Sequence, residues 1–412
     1  MEVVYTHCCG LDVHKRTVVA CIIVPGPGGT PRRETLAFGT MTSEIRRLGE
    51  WLAANGVTHV AMEATGSYWK PIWNILESAF NLVLANARDV KTVPGRKSDV
   101  KDCQWIADLF RHGLIRGSFV PNREQRELRE LTGYRTRLIE ERSAEVNRLQ
   151  KILEGANIKL ASVATDVMGA SGRRILAALV AGTADPVTMA ALAKGRLRAK
   201  IPQLAEALRG SFGAHQRLII AHQLAHIDFL DETIEQLDQE VANRLRPFEE
   251  IIVRLDAVTG LGRRAIEIIL AQIGTDMSRF PTDKHIAAWA GMVPGSNESG
   301  GKRKSARTRK GNSALRSILV QAAHAAGHSK NTYLGAQFRR LAARRGKKRA
   351  AVAVGHSILV ITYNMIKHGT TYSDLGGNYF DLRDRQALER RLVNRLKALG
   401  YEVTLEPRQE AA

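Results

Sequence analysis

The chain has 412 residues, 44% hydrophobic and 25% charged, which suits two or three folded domains and excludes disorder along its whole length. Its 61 Lys+Arg against 41 Asp+Glu leave a formal net charge of +20, an excess that calls for a polyanionic partner. No run reads as the ~20 apolar residues of a spanning helix, and MEVVYTHCCG lacks a signal-peptide layout. The expectation is a cytoplasmic protein with no membrane partner.

The first 120 residues read as α/β. VVYTHCCGLD and TVVACIIVP are rich in β-branched residues and flank the polar turn His14-Lys15-Arg16, which predicts a hairpin. Residues 43–55 carry apolar side chains at helical spacing, with Ser43 as N-cap. VTHVAMEA and LVLANA read as short buried strands around a WKPIWNILES helix, and a further helix is expected from Ser98. Cys8, Cys9, Cys21 and Cys103 show no CxxC spacing, so they read as reduced thiols rather than a zinc site.

The middle is helical. Residues 124–154 predict one long polar helix, and 155–213 short helical pieces broken by Gly and Pro. In 214–247, Ile220, Ile227, Ile234 and Val241 repeat every seven residues, with Leu230 and Leu237 three residues after two of them. That pattern suits a two-stranded coiled coil between two copies of the chain; packing on 124–154 within one chain is the alternative. LDAVTGLGRRAIEIILAQIG resembles a helix–hairpin–helix, in which Gly260 and Gly262 would let backbone approach a phosphate; a purely structural turn fits as well. The basic run 339–350 predicts a basic helix followed by a buried one carrying His356 as a packed core residue. A mixed-charge helix and polar tail fill 374–412. The domains are therefore drawn at 1–122, 123–250, 251–373 and 374–412.

Charge localises the partner. Residues 299–373 hold 16 Lys+Arg and no acidic residue, against a net of +3 for residues 1–122, and the rest is close to neutral. A stretch so free of carboxylates, with apolar helices inside it, predicts a folded basic surface for nucleic acid.

Four acids stand at element ends: Asp12 in GLDVHK, Glu63 in VAMEATGSY, and Asp99 and Asp102 in KSDVKDCQWIADL. A helix would put the last two on one face. Carboxylates this close would repel one another without a metal, and hard cations such as Mg²⁺ take oxygen ligands. Each has a plainer role open to it, as a turn residue at Asp12 or a helix-end charge at Asp99 and Asp102.

GLDVHK, AMEATGSYW and PGRKSDVKDCQWIADLFRHGLIRGSFVP, in this order and spacing, resemble the N-terminal domain of the DEDD transposases of bacterial insertion sequences, the IS110 and IS1111 families. The resemblance covers most of residues 5–122. It implies a RuvC-like, RNase H-type fold in which Asp12, Glu63, Asp99 and Asp102 bind Mg²⁺ or Mn²⁺. Asp108, six residues past Asp102, falls on the other side of the helix and outside this set. AAWAGMVPGSNESGGKRKSARTRKGNSALRSILVQAAHAA, residues 287–326, resembles the C-terminal domain of the same families. There Ser299 fills the position of a serine that attacks DNA and becomes covalently linked to it. Gly300 and Gly301 suit close backbone approach to phosphate, and Lys302, Arg303, Lys304, Arg307, Arg309 and Lys310 can hold nucleic acid and stabilise transition-state charge. A bare serine needs an activating base or metal, and no histidine base can be placed. The four acids could serve only if the two domains meet in the fold or across an assembly.

The expectation is thus an α/β RuvC-like domain, a helical coiled-coil region and a mainly α C-terminal domain. Together they would form a recombinase acting on element ends and target DNA. The resemblance further implies a non-coding guide RNA, and the seven-residue stripe points to a homo-oligomer, a dimer or a tetramer of dimers. Two rivals remain: a metal-dependent junction-resolving nuclease that uses water and needs no Ser299, and a non-enzymatic nucleic-acid-binding protein.

Overall fold

The computed structural model describes residues 2–64, 66–85, 102–182, 185–295, 297–300, 302–305 and 307–406, with backbone alone at 297–299 and 302–305. The chain divides into two compact units, Met1–Arg123 and Glu124–Ala412.

The first unit is a mixed five-stranded sheet. Strands β1 (Cys8–Val13), β2 (Thr17–Pro25) and β3 (Pro31–Gly39) form an antiparallel meander, and β4 (His59–Glu63) and β5 (Asn81–Ala85) add parallel to β1, in the order β3-β2-β1-β4-β5. Helix α1 (Thr42–Ala54) crosses over to β4 and α2 (Trp69–Leu76) to β5; α3 is Asp102–Arg111. Alternation sorts the strand residues between two faces. Cys9, Leu11 and Val13 pack with Val60, Met62, Ile45, Leu48 and Ile72, while Cys8, Cys21 and Ala61 pack under Cys103, Ile106 and Phe110 of α3. Ser43 lies inside α1 rather than capping it, because the helix begins at Thr42 after an N-cap Met41 with no side-chain bond. The cysteines are free and buried. Burial pushes the Cys8 thiol up to about 12 and Cys9 well above its ordinary value, so both stay neutral.

The second unit is helical. Helix α4 (Arg123–Gly155) and a later long helix, α9 (Ala214–Leu245), run antiparallel. Leu138 packs on Leu230 and Ile234, and Arg142 pairs with Asp231. Between them, α5 (Leu160–Val163), α6 (Ala170–Ala181), α7 (Pro186–Ala191) and α8 (Ile201–Ala207) form a cap whose core includes Leu149 and Leu153 of α4 and Ile220 and Ile227 of α9. The seven-residue stripe is therefore covered within one chain: Ile220, Ile227, Leu230, Ile234 and Val241 are all buried. Each such burial contributes about 1.5–3 kcal/mol. The same stripe is not free to form a seam with a second copy.

Helices α10 (Glu249–Asp256), α11 (Arg263–Ile273) and α12 (Asp283–Trp289) lead to a hairpin of β6 (Asn297–Ser299) and β7 (Lys302–Ser305). Then come α13 (Ser313–His328), α14 (Tyr333–Arg345), α15 (Lys347–His368), α16 (Tyr379–Arg383) and α17 (Arg385–Ala398). In the turn before α11 the two glycines differ: Gly262, the N-cap of the helix, is exposed with nothing near it among the described residues, whereas Gly260 is structural. Gly260, at φ +93°, lies against α13, where an added Cβ would come 2.4 Å from the Ala322 carbonyl oxygen. It presses into the core rather than opening toward a phosphate. The basic run breaks at Gly346 into two helices, and His356 is half-buried rather than enclosed. Contrary to the sequence expectation, α15 is long and apolar enough to cross a membrane. Its Val354, Ile358, Leu359 and Tyr363 instead lie in the core with Leu319, Ala323 and Phe338.

Candidate active site and nucleic-acid interface

Three of the four acids reach one edge of the first unit. Leu11 of β1 stands level with Met62 of the parallel neighbour β4, so Asp12 and Glu63, one residue on, end adjacent strands. Both follow the alternation of Gly10 and Ala61, the face covered by α3. That helix runs opposite to β1. Its last carbonyl, on Arg111, accepts from the N–H groups of Val4 and Tyr5 at 2.9 and 3.1 Å, so its first residue, Asp102, lies at the Asp12 end. Gly10 makes the approach feasible, since a Cβ there would stand 2.4 Å from the Ala107 nitrogen and the Cys103 carbonyl oxygen.

Asp12 is half-buried and Asp102 exposed. Asp99 lies outside the described residues. Among the described residues, no three His, Cys, Asp or Glu side chains gather closely enough to hold a metal ion. The donors that do share the edge are carboxylates, an oxygen set that fits Mg²⁺ or Mn²⁺ better than a soft cation. Asp108 is committed elsewhere: it takes a two-pronged ion pair from Arg33 of β3 at 2.8 and 2.6 Å. Sequence reading passed over His14, whose Nε2 lies 3.1 Å from an Asp12 carboxylate oxygen. The i, i+2 spacing across a strand end was its only signal.

Ser299 is the last residue of β6, paired with Lys302 across a two-residue turn in which Gly300 has φ +60°. Tight hairpin turns need such positive φ values, which Gly300 supplies. The hairpin is anchored at its base. Gly295 N–H donates to the Arg307 carbonyl at 2.8 Å, Pro294 bridges Thr308, and Gly311 touches the Gly291 backbone closely enough that a Cβ would stand 2.3 Å away. Asn312 then caps α13, accepting from Leu315 N–H at 3.0 Å, while its amide donates to Gln272 Oε1 at 2.7 Å. The Gly-Asn of the sequence motif is thus a backbone clamp followed by a helix cap.

Lys302, Arg303 and Lys304 lie on β7, and Arg309 and Lys310 follow as exposed residues. Arg307 lines a cavity of about 680 Å³ with Arg345 at the end of α14 and Arg349 at the start of α15. Cations in a first helical turn oppose the helix dipole. Here α15 opens with Lys347, Lys348 and Arg349, and no carboxylate stands between 299 and 373 to neutralise them. Bound phosphates would offset that repulsion.

Comparison with known proteins identifies the class. A family model described as Transposase, of the DEDD type, matches residues 9–158, and a second, Transposase IS116/IS110/IS902 family, matches residues 253–339. The four acids and the Ser299 hairpin with its neighbouring cations up to Lys310 fall inside these matches, and Arg345 and Arg349 lie just past the second. A probable family 20 transposase of Pseudomonas aeruginosa is 26% identical over 270 residues, 65% of this chain and 70% of its own length. The transposase for insertion sequence element IS1111A of Coxiella burnetii is 25% identical over 320 residues, 76% of this chain and 79% of its own. The chain belongs to the IS110/IS1111 family of transposases, and so to enzymes that cut and rejoin DNA.

Proposed function

We propose that the chain recombines the ends of its insertion sequence with target DNA through a covalent serine link. The observation that carries this reading is the pairing of two sites in one transposase chain: carboxylates at the ends of β1 and β4 and the start of α3, and Ser299 at a glycine hairpin flanked by cations. The Ser299 hydroxyl oxygen attacks a backbone phosphorus and loses its proton; the bond from phosphorus to one sugar oxygen breaks, and that oxygen leaves with a proton. A free sugar hydroxyl later attacks the phosphoserine, restoring a phosphodiester and the serine. Phosphodiester energy is conserved, so no nucleotide cofactor is required.

Asp12, Glu63, Asp99 and Asp102 would hold Mg²⁺ or Mn²⁺. Such an ion polarises phosphate oxygens and lowers the pKa of a bound hydroxyl. Lys302, Arg303, Lys304, Arg307, Arg309 and Lys310 bind phosphates and offset developing charge. The mixed sheet with acids at its strand ends supports a RuvC-like, RNase H-type assignment. A non-coding RNA as guide, and a dimer or tetramer as the working assembly, complete the reading.

The test uses labelled element-end DNA, RNA flanking the element and Mg²⁺, resolved on a denaturing gel. A covalent protein–DNA band should form with the wild type and fall at least about 1000-fold in Ser299→Ala and Asp12→Ala. Cleavage that survives Ser299→Ala with no covalent band would make the enzyme a water-using nuclease.

A further inference from the structure

The helical cap carries a second basic surface that the regional charge count conceals. Residues 123–298 are close to neutral together, yet residues 156–213 alone hold eight Lys+Arg against three Asp+Glu. Three of the eight are paired, Arg173 with Asp228 and Asp231, Lys159 with Glu154 and Arg209 with Glu206, and other acids of the long helices bond to arginines there, Asp231 to Arg142 and Glu127 and Glu240 to Arg244. The cations of the turn 194–200 have no such partners. Lys194, Arg196, Arg198 and Lys200 are all exposed, and the first three side chains have no hydrogen-bond or ion-pair partner among the described residues. Lys200 reaches only the Val163 carbonyl, at 3.4 Å.

Three of these cations line one cavity of about 580 Å³. Lys194, Arg196 and Lys200 enclose it with Thr165, Ser171 and the backbone at Gly169 and Ala170, where α6 begins with no side-chain cap. Asp166 is the single carboxylate among the lining residues, and it already accepts from Met168 N–H at 2.9 Å. The site is cationic, rich in donors and free of aromatic side chains. A single strand would need stacking platforms; a duplex backbone needs only cations and N–H groups.

We propose that this turn of the cap is a second docking site for duplex DNA, gripping its phosphate backbone without reading sequence. It rests on the reading above of the chain as a DNA-joining enzyme, but it uses none of the same residues. Helix α4 joins the two regions: Leu128 lies in the C-terminal core and Leu149 in the cap core. At 1.5 Å per residue they are about 30 Å apart along one helix. That is about three Debye lengths at 0.1 M salt, so charges removed from the cap should leave the field in the C-terminal core around Leu128 largely unchanged.

The experiment measures binding of full-length protein to a 30-base-pair duplex DNA and to an RNA hairpin, by fluorescence anisotropy across a salt series. One variant combines Lys194→Ser, Arg196→Ser, Arg198→Ser and Lys200→Ser; a second combines Arg345→Ser and Arg349→Ser. All six residues are exposed, and unchanged thermal melting verifies folding. With about 0.9 of a log–log unit per phosphate contact, the cap variant should lower the DNA salt slope by roughly two to three and weaken DNA binding at least tenfold at about 0.15 M salt. A cap variant that binds DNA like the wild type while the second variant loses affinity overturns this inference and leaves the C-terminal interface standing. Loss in the cap variant alone supports it and places the fault in the C-terminal reading. If neither variant weakens DNA binding, both fall. An effect on the RNA hairpin with none on DNA also overturns it.

Discussion

The two units put their charges in opposite places. In the α/β unit the core is neutral, built from aliphatic residues and thiols kept protonated by burial, while the carboxylates stand at strand and helix ends. In the helical unit a charged cluster lies at the centre. Arg135 is 1% exposed and pairs with Glu267, 4% exposed, at 2.7 Å and with Asp238 at 2.8 Å, joining α4, α9 and α11. Its Nη2 is buried with no partner among the described residues. Buried ion pairs seldom add stability over apolar residues of similar volume, but they fix which elements meet. Asp12, Glu63 and Asp102 of the first unit stand at element ends, whereas Asp238 and Glu267 of the second tie helices together.

The sharpest way to break this contrast is to remove one partner of the buried cluster. Arg135→Ala leaves buried Glu267 with only the Arg263 guanidinium, at 3.2 Å, among the described residues and should cost about 3 kcal/mol, read as a drop in melting temperature of the helical unit. Arg135→Met combined with Glu267→Leu should recover most of that loss. Equal destabilisation by the single and the double replacement would show that side-chain volume, not charge, holds the three helices.

In the α/β unit the largest effect should come from Gly10→Ala. The added methyl meets two backbone atoms of α3 at 2.4 Å, so the helix must shift, at about 1–3 kcal/mol. Because Asp102 begins that helix, strand joining should fall further than stability does. A variant that loses stability but keeps full activity would detach α3 from the acid site. The neutral thiols give the same unit a pH signature. Folded Cys8 and Cys9 hold their protons well above the pH where unfolded thiols release them, so the native state binds more protons between them. Stability is then intact below about pH 8.5, the unfolded thiol pKa, and falls as pH rises toward 12. The helical unit has no cysteine, so urea melts at pH 7.5 and 10 should differ more for the first unit, and Cys9→Ala should flatten its profile.

Local patterns were legible where one residue's neighbours decide its state. TVVACIIVP gave β2, and the seven-residue repeat gave a helix with one buried stripe. The repeat did not give its partner, because a stripe every seven residues reads alike whether a second copy or α4 of the same chain covers it. Strand β3 was missed since PRRETLAFG is an edge strand, mostly exposed and rich in charge, with no apolar alternation to read. At the acid site the residue types and strand-end positions were visible. The Arg33–Asp108 pair was not, since it joins residues 75 apart. The cations of the 194–200 turn were hidden by averaging: acids on the long helices cancelled them in the count but bond to arginines outside that turn, such as Arg142 and Arg244.

The smallest expected effect separates two duties of one side chain. Asn312 caps α13 through its oxygen and holds Gln272 through its amide nitrogen, directly after the strands that anchor the Ser299 hairpin. Asn312→Ser keeps a capping oxygen and loses the amide donor; Asn312→Ala loses both. The cap is worth about 1 kcal/mol, so the alanine variant should melt lower than the serine variant by that amount. If the Gln272 bond fixes the hairpin base, both variants should lower covalent-complex formation similarly, despite their different stabilities. Activity that follows stability instead would reduce Asn312 to a helix cap and leave Gly291 and Gly311 as the clamp on the hairpin.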